Sequence, residues 1–262
     1  MQRPAAARDP WIVTPRRLPD ARLRLFCFPY AGGGASIYAR WAELLPPGVE
    51  LAAVQLPGRE SRLGEKPYAA LGPLVEKLAE ALAPYMELPF AFFGHSNGGL
   101  MAFELVRLLR RQGRRLPLHL FESGRPAPQV ELTEPHIHSL PHDEFMAALR
   151  RYGATPEEVL ENAEIMALIE PLLRADFALG ETYVYTPEPP LPVPLSAYGG
   201  ATDAEVPLWQ VEAWKEQAGG AFRFETFPGG HFFLLEDRAR LLEVLGRELR
   251  PHLERHAYAP RA

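Results

Sequence analysis

A serine in a glycine-rich turn is the residue of this chain best suited to covalent chemistry. Residues 94–98 read GHSNG and fit the pattern G-x-S-x-G. The apolar run at 90–93 predicts a buried strand, and from Leu100 onward the apolar residues follow helical spacing. A strand, a sharp turn and a helix in this order form a nucleophile elbow, which holds the hydroxyl of Ser96 clear of a sheet.

A serine hydroxyl needs a base to take its proton and an acid to orient that base. His231 follows a predicted strand on a Gly-Gly loop, whereas His252 and His256 fall in the last helix or the tail. Asp203 lies in a loop after a strand and precedes His231, as the order serine, acid, histidine requires. The sequence therefore predicts a triad of Ser96, Asp203 and His231.

The remaining acids are weaker candidates. Asp143 and Asp176 fall in a helical interval, and Asp237 falls in the closing helix. Glu122 ends the strand that follows the elbow helix, so it is the alternative acid. It precedes the helical interval, and we rank it below Asp203.

Two backbone N–H groups must stabilise the oxyanion that forms when the serine attacks a carbonyl. One is expected from Asn97, directly after the nucleophile, and the other from Ala31 in the loop 29–34, which reads PYAGGG. A phosphate-binding loop is the alternative for this glycine run. It lacks the Lys-Ser/Thr ending of a P-loop and the spacing of a dinucleotide fingerprint.

Several other reactive side chains have simpler interpretations. His136, His138 and His142 are interpreted as surface residues, because no cluster of cysteines or acids with metal-ligand spacing accompanies them. No metal site is therefore expected. Cys27 is predicted to be a buried strand residue without an adjacent base.

Arg59 and Arg62 leave alternatives open. The alternatives are solvated side chains, ion pairs with Glu60 and Glu65, and contact with a phosphate at the mouth of the site.

The elements that must position these residues alternate along the chain. Strands are predicted near 23–28, 51–55, 90–93, 117–122, 195–198 and 221–227. Helices are predicted near 36–45 with Ser36 as its cap, and at 72–85, 100–113, 207–217 and 234–253. This alternation predicts an α/β fold with a mainly parallel sheet and helices on both faces. Residues 1–20 are expected to form a loosely held arm.

The interval from about 125 to 190 breaks this alternation. It has helix signals but no convincing strand, and it ends in the proline-rich run 186–194. Thr155, Pro156 and the glutamates that follow resemble a capping box, and Pro171 is expected to interrupt the third helix. We predict one domain, residues 1–262, with a helical lid inserted at about 125–190.

Bulk composition limits the function classes. The chain has 262 residues, 47% hydrophobic and 23% charged, which is typical of a soluble globular protein. A net charge of −5 gives no general attraction to nucleic acid or to anionic membranes, and no apolar run reaches membrane-spanning length. A single cysteine excludes an internal disulfide, and no secretory h-region precedes the first strand. A cytoplasmic protein is expected.

Seven blocks of sequence, in order, resemble the type II thioesterases of polyketide and nonribosomal peptide biosynthesis. The blocks are FCFPYAGG at 26–33, QLPGRESR at 55–62, FGHSNGG at 93–99, SGRPAP at 123–128, LRADF at 173–177, ETYVY at 181–185 and PGGHFFL at 228–234. The resemblance implies the α/β-hydrolase fold, a mobile lid, and Ser96, Asp203 and His231 as nucleophile, acid and base. One departure is Asn97, where the family usually has methionine, which makes the pocket beside the nucleophile more polar.

The resemblance also implies an editing hydrolase. Such enzymes remove aberrant acyl groups from the phosphopantetheine arms of acyl or peptidyl carrier proteins, and they need no cofactor of their own. Tyr30, Arg59 and Phe232 are the candidate substrate contacts, and the chain is expected to be a monomer. A carboxylesterase or an acyl-CoA hydrolase of small molecules is the alternative. A noncatalytic binding module on the same fold is a third hypothesis, against which the ordered triad argues.

Overall fold

The fold is built on a seven-stranded sheet in a computed structural model that describes residues 10–131, 135–153 and 155–257. The spatial order is β1-β3-β2-β4-β5-β6-β7. The strands are β1 Ile12–Val13, β2 Leu23–Phe28, β3 Val49–Val54, β4 Phe90–His95, β5 Leu120–Ser123, β6 Leu195–Gly200 and β7 Phe222–Phe227. Every neighbouring pair is parallel except β1 with β3. The prediction of a mainly parallel sheet is therefore confirmed.

Helices cover both faces of this sheet. They are α1 Leu71–Leu82, α2 Asn97–Arg111, α3 His142–Tyr152, α4 Glu157–Leu160, α5 Ala163–Glu181, α6 Leu208–Glu212, α7 Phe233–Glu236 and α8 Arg238–Ala257. Phe26 and Phe92 point to the face covered by α1 and α2, whereas Leu25 and Phe93 point to the face covered by α8. Residues one apart on a strand thus enter opposite cores, which is why the parallel strands are apolar throughout.

The insertion between 125 and 190 packs around a small apolar cluster of its own. Phe145, Leu149, Leu160 and Met166 belong to this cluster, which α3, α4 and the start of α5 share. The described residues of this interval contain these three helices and no strand, as the sequence predicts.

Helix boundaries in the insertion differ from the predicted ones. Pro156 is the residue before α4, and no side chain caps that helix, so the predicted capping box is wrong. The predicted break at Pro171 is also wrong, since α5 continues through this exposed residue. The buried face of α5, which includes Leu172 and Leu173, packs on the body of the protein and keeps the helix continuous. Asn162 caps α5 by accepting the N–H groups of the first turn.

Two further predictions near the N-terminus are corrected. Part of the expected loose arm is the edge strand β1, where Trp11 is buried and the Arg62 guanidinium lies 4.1 Å from its ring centroid; residues 1–9 of the predicted arm lie outside the described residues. The predicted helix at 36–45 is instead two short 3-10 turns, at Ala35–Tyr38 and Trp41–Glu43. The Ser36 hydroxyl donates to Glu60 rather than capping a helix.

In the part of the chain that the structure describes, no helix combines the length and apolar character needed to cross a bilayer.

Candidate active site

Ser96 lies at the corner between β4 and α2, in a strained backbone conformation. Its φ is 53° and its ψ is −118°, which is rare for a residue other than glycine. The flanking glycines allow the corner to be sharp. A Cβ on Gly94 would lie 2.2 Å from the Gly98 carbonyl oxygen, and one on Gly98 would lie 2.1 Å from the Phe28 carbonyl oxygen. These contacts are too short for any larger residue, so the two glycines are required by the backbone itself.

His231 and Asp203 lie side by side at the carboxyl edge of the sheet. Asp203 follows β6 and His231 follows the adjacent strand β7, so the parallel pairing of these strands brings the two loops together. His231 Nδ1 lies 2.8 Å from Asp203 Oδ2, where an N–H on Nδ1 donates to the carboxylate. The other oxygen, Oδ1, accepts the N–H groups of Glu205 and Val206. The Asp203 side chain is fully buried, so its carboxylate is held in one orientation.

Glu122, the alternative acid, lies on β5 beneath the elbow helix and has no bond to His231. Its side chain is fully buried, and neither carboxylate oxygen has a hydrogen-bond partner among the described residues. Burial raises the pKa of Glu122 well above its ordinary value, an effect that Arg125 only partly offsets. A carboxyl group without a bond to His231 cannot hold its imidazole ring in place.

The loop at 29–34 forms a wall of the site, and its conformation depends on a residue far along the chain. The Gly32 N–H donates to Asp176 Oδ2 at 2.7 Å, and φ of Gly32 is +77°, a value that glycine adopts without strain. Ala31 lines the same cavity as Ser96. Asn97 is the first residue of α2, so its N–H has no acceptor within the helix. Ala31 and Asn97 therefore flank the nucleophile.

Asp176 connects the helical insertion to this loop. Its carboxylate also accepts two hydrogen bonds from Arg59, at 2.7 and 2.8 Å, and both side chains are almost fully buried. Its backbone carbonyl accepts the Asn97 side-chain amide at 2.6 Å. Helix α5 is thus bound both to the loop before the nucleophile and to the residue after it.

The position of Arg59 corrects one predicted substrate contact. Besides Asp176, its guanidinium donates to the carbonyls of Gly33 and Pro57, and Arg59 does not line the cavity. Arg59 therefore holds helix α5 rather than a substrate phosphate. Arg62 pairs with Glu65, one of the predicted alternatives.

A cavity of about 510 Å³ opens beside the nucleophile. Ser96 and His231 lie in its wall, together with Arg125, Phe177 and Tyr185. Its walls combine residues after β5, residues of α5, and the loop after β6. The pocket is large enough for an acyl chain of several carbons.

Tyr30 and Phe232 lie on the other side of the nucleophile. They line a small cavity of about 50 Å³ together with Ser96 and His231, and their ring centroids are 5.1 Å apart. His95 packs against both rings and lies 5.0 Å from the His231 ring. Burial, reinforced by the nearby His231, lowers the pKa of His95 well below its ordinary value. A neutral His95 adds no positive charge that would oppose protonation of His231.

The histidines at 136 and 138 have an acidic neighbour that the sequence did not reveal. Glu181 lies beside His136 and His138, and the three side chains have the spacing that a metal ion would need. The Glu181 carboxylate also accepts the backbone N–H groups of Ile137 and His138 and contacts the His138 ring at 2.5 Å. These bonds explain the cluster as a tether between α5 and the preceding loop. Cys27 is buried, as predicted.

Two residues of the site were missed by the sequence interpretation. Asp176 follows Leu172 and Leu173 by three or four positions, which puts a carboxylate on the buried face of an amphipathic helix. Arg125 follows the end of β5, where the carboxyl ends of parallel strands collect functional side chains. Both signals are visible in the sequence, although neither shows which residues Asp176 and Arg125 contact.

A mainly parallel sheet with a nucleophile elbow, followed by an acid and a histidine after later strands, defines the α/β-hydrolase class. Within this class the chain belongs to the thioesterase family, because the family model described as a thioesterase domain matches residues 23–249. The chain is accordingly a hydrolase that acts on thioesters.

Relatives with sequence and structural similarity cover nearly the whole chain. The gramicidin S biosynthesis protein GrsT of Aneurinibacillus migulanus is 43% identical over 92% of this chain and 94% of its own. Thioesterase PikA5 of Streptomyces venezuelae is 37% identical over 86% of this chain and 80% of its own. The solved structure of the RedJ thioesterase from the prodiginine pathway of Streptomyces coelicolor has a TM-score of 0.83 and 40% identity, covering 94% of this chain and 97% of its own.

Proposed function

We propose that this chain is an editing type II thioesterase, which hydrolyses aberrant acyl groups from the phosphopantetheine arms of carrier proteins. The observation that carries the proposal is that Ser96 and His231, the latter bonded to Asp203, line one cavity of about 510 Å³. Similar proteins described as type II thioesterases of the borrelidin biosynthetic cluster and of the yersiniabactin NRPS/PKS pathway support the carrier-bound substrate class.

The reaction follows from the positions of the three side chains. His231 takes the Ser96 proton as Oγ attacks the thioester carbonyl, and Asp203 stabilises the imidazolium. The N–H groups of Ala31 and Asn97 stabilise the oxyanion. The carbon–sulfur bond breaks, and His231 gives its proton to the leaving pantetheine thiolate. His231 then takes a proton from water, the resulting hydroxide attacks the acyl-serine, and the proton returns to Ser96 as the acid leaves.

The helical insertion acts as the lid of the acyl cavity in this proposal. Phe177 and Tyr185 from the insertion line the cavity, whereas α5 itself is held by the buried Arg59–Asp176 pair. We infer that opening involves α3 and α4, which pack on α5 through a small apolar cluster, and leaves α5 docked on the body of the protein. We also propose that residues 1–262 form one domain. We propose in addition that the protein is a monomer, and its molar mass measured by light scattering tests this.

A comparison of three acyl donors tests the function. The same butyryl group is presented on a phosphopantetheinylated carrier protein, on coenzyme A and as a p-nitrophenyl ester. We expect kcat/KM to be highest for the carrier protein. A preference for coenzyme A or for the ester would assign the chain to small-molecule hydrolysis. No turnover and no labelling by a serine-reactive phosphonate would indicate a binding module.

A further inference from the structure

Arg125 is a half-buried arginine without the carboxylate partner that other buried or half-buried arginines of this chain have. Arg24, Arg59, Arg62 and Arg107 are each paired with a carboxylate at 2.9 Å or less. Within the described residues, Arg125 has no carboxylate within ion-pairing distance. Its side chain accordingly lines the cavity with a positive charge that the fold does not neutralise.

The nearby acid does not compensate for this charge. Glu122 is the closest candidate, yet neither of its oxygens has a hydrogen-bond partner among the described residues. Burial raises its pKa well above the ordinary value, which favours the uncharged acid. Three acids line the cavity. Glu131 and Glu205 are exposed to solvent, and the half-buried Glu181 is bound to the His138 ring and to the backbone N–H groups of Ile137 and His138. Among the described residues of the cavity wall, no acid forms an ion pair with Arg125.

One hydrogen bond aims the guanidinium. Arg125 Nη1 donates to Asn97 Oδ1 at 3.3 Å, while the Asn97 amide nitrogen is fixed on the Asp176 carbonyl. Gly180 provides the room for this pair, since a Cβ there would lie 2.7 Å from Asn97 Oδ1 and 3.1 Å from Arg125 Nη1. Asn97 directly follows Ser96, so the guanidinium is hydrogen-bonded to the residue next to the nucleophile. The other N–H donors of Arg125 have no protein acceptor among the described residues.

We propose that Arg125 is a specificity-determining residue of the acyl cavity, which selects acyl groups with a carboxylate or keto oxygen beyond the thioester carbonyl. This inference rests on the proposed thioesterase function and names the acyl class that the site favours. A guanidinium in a water-poor pocket makes strong, charge-assisted hydrogen bonds to such oxygens. A plain alkyl chain leaves these donors without an acceptor, which is costly in a closed pocket.

The test compares three pantetheine thioesters of similar size: malonyl, acetoacetyl and butyryl. The enzymes are the wild type, Arg125→Met, Arg125→Lys, and Arg247→Met as a control that removes the same charge from an exposed ion pair. We expect Arg125→Met to lower kcat/KM for malonyl or acetoacetyl by about 10- to 100-fold, and for butyryl by less than about threefold. Arg125→Lys should recover part of the lost kcat/KM, and Arg247→Met should leave kcat/KM unchanged for all three thioesters.

Because each variant is compared with the wild type on the same substrate, the intrinsic reactivity of each thioester cancels. An equal fall on all three substrates would overturn the inference and assign Arg125 a structural role, and unchanged ratios would overturn it as well. A loss confined to malonyl identifies a carboxylate as the preferred group, and a loss on both oxygenated substrates identifies a general oxygen acceptor.

Binding separates this inference from the function on which it rests. If the wild type hydrolyses none of the thioesters, the proposed function fails, and calorimetry with the nonhydrolysable amide analogues still tests Arg125. Tighter binding of the malonyl or acetoacetyl amide than of the butyryl amide, lost in Arg125→Met, would support the selectivity. Equal binding of the three amides would overturn it.

Discussion

Ser96 carries the proposed chemistry, and its replacement is the most direct test at the scale of single residues. Ser96→Ala removes the nucleophile but preserves the backbone, so we expect turnover to fall on the order of a million-fold without loss of fold. Steady-state hydrolysis and circular dichroism measure the two effects. Ser36→Ala, at an exposed serine, is the control. Near-normal hydrolysis by a folded Ser96→Ala enzyme would remove this residue from the mechanism.

The acid of the triad is tested by two matched amide substitutions. Asp203→Asn keeps the shape of the side chain but favours the wrong imidazole tautomer, so kcat should fall by about ten-thousand-fold. Glu122→Gln should leave kcat within about threefold, because this carboxyl has no bond to His231. The reverse pattern, with Glu122→Gln the inactive enzyme, would move the acid to β5.

At the scale of secondary-structure elements, the Arg59–Asp176 pair joins α5 to the loop 29–34, which contains Ala31. Asp176→Leu leaves the Arg59 charge buried and unpaired, which should cost about 3–5 kcal/mol of unfolding free energy. The double variant Arg59→Met with Asp176→Leu removes both charges and should recover most of that stability. Its kcat should nevertheless stay low, because Gly32 still lacks its acceptor.

Urea unfolding and steady-state kinetics on the same samples separate the two roles of this pair. The effect should be on kcat rather than on KM, since the Gly32 bond orients the loop and does not contact the acyl chain. A double variant with both wild-type stability and wild-type kcat would mean that the pair contributes to stability alone.

The two parts of the lid should differ in their dynamics. Helices α3 and α4 pack on α5 through a small apolar cluster, whereas α5 is also bound to the body of the protein through Asp176. We therefore expect amide hydrogens of α3 and α4 to exchange faster than those of α5 and of the central strand β4, and to slow when an acyl-pantetheine amide binds. Exchange in α3 as slow as in β4, with no change on ligand binding, would contradict this gating scheme.

The elements that could be predicted from sequence are those specified by local patterns. The strand, elbow and helix around Ser96 follow from an apolar run, glycines and helical spacing, all within 25 residues. Strand β1 was missed because two residues between prolines have no pattern of their own and depend on pairing with β3. Arg59 and Asp176 are 117 positions apart, so no local signal identifies them as partners. The predicted helix break at Pro171 used only the local sequence, whereas the packing of α5 keeps the helix continuous through this residue.

At the scale of the whole molecule, buried titratable groups make stability depend on pH. The raised pKa of Glu122 means that the folded chain holds a proton that the unfolded chain releases above the ordinary value of 4.5. Its contribution to stability is complete below that pH and is lost as the pH rises through the folded pKa. Glu122→Gln removes this dependence. The unfolding free energy of the variant relative to that of the wild type should therefore rise between pH 4.5 and 8, by about 1.4 kcal/mol for each pH unit by which the folded pKa exceeds 4.5.

Buried histidines act in the opposite direction. Burial lowers the pKa of His119 to about 3 and that of His95 well below its ordinary value of 6.5. Their contribution is complete above pH 6.5 and is lost as the pH falls toward the folded pKa values. Because both enzymes share these histidines, the difference between wild type and Glu122→Gln isolates the glutamate. Denaturant melts from pH 4 to 8 measure it, and a difference that does not vary with pH would contradict a raised pKa.

The backbone at Ser96 also bears on how genes of this kind change over generations. A φ of 53° with a ψ of −118° suits glycine and costs a serine about 1–3 kcal/mol. A change from serine to glycine would therefore stabilise the chain in the same step that destroys the nucleophile. Natural selection for turnover must hold the serine against that gain. In a duplicated gene copy that is freed from this selection, the single substitution Ser96→Gly would give a more stable protein without activity. Such a protein would keep the cavity but would no longer hydrolyse what it binds.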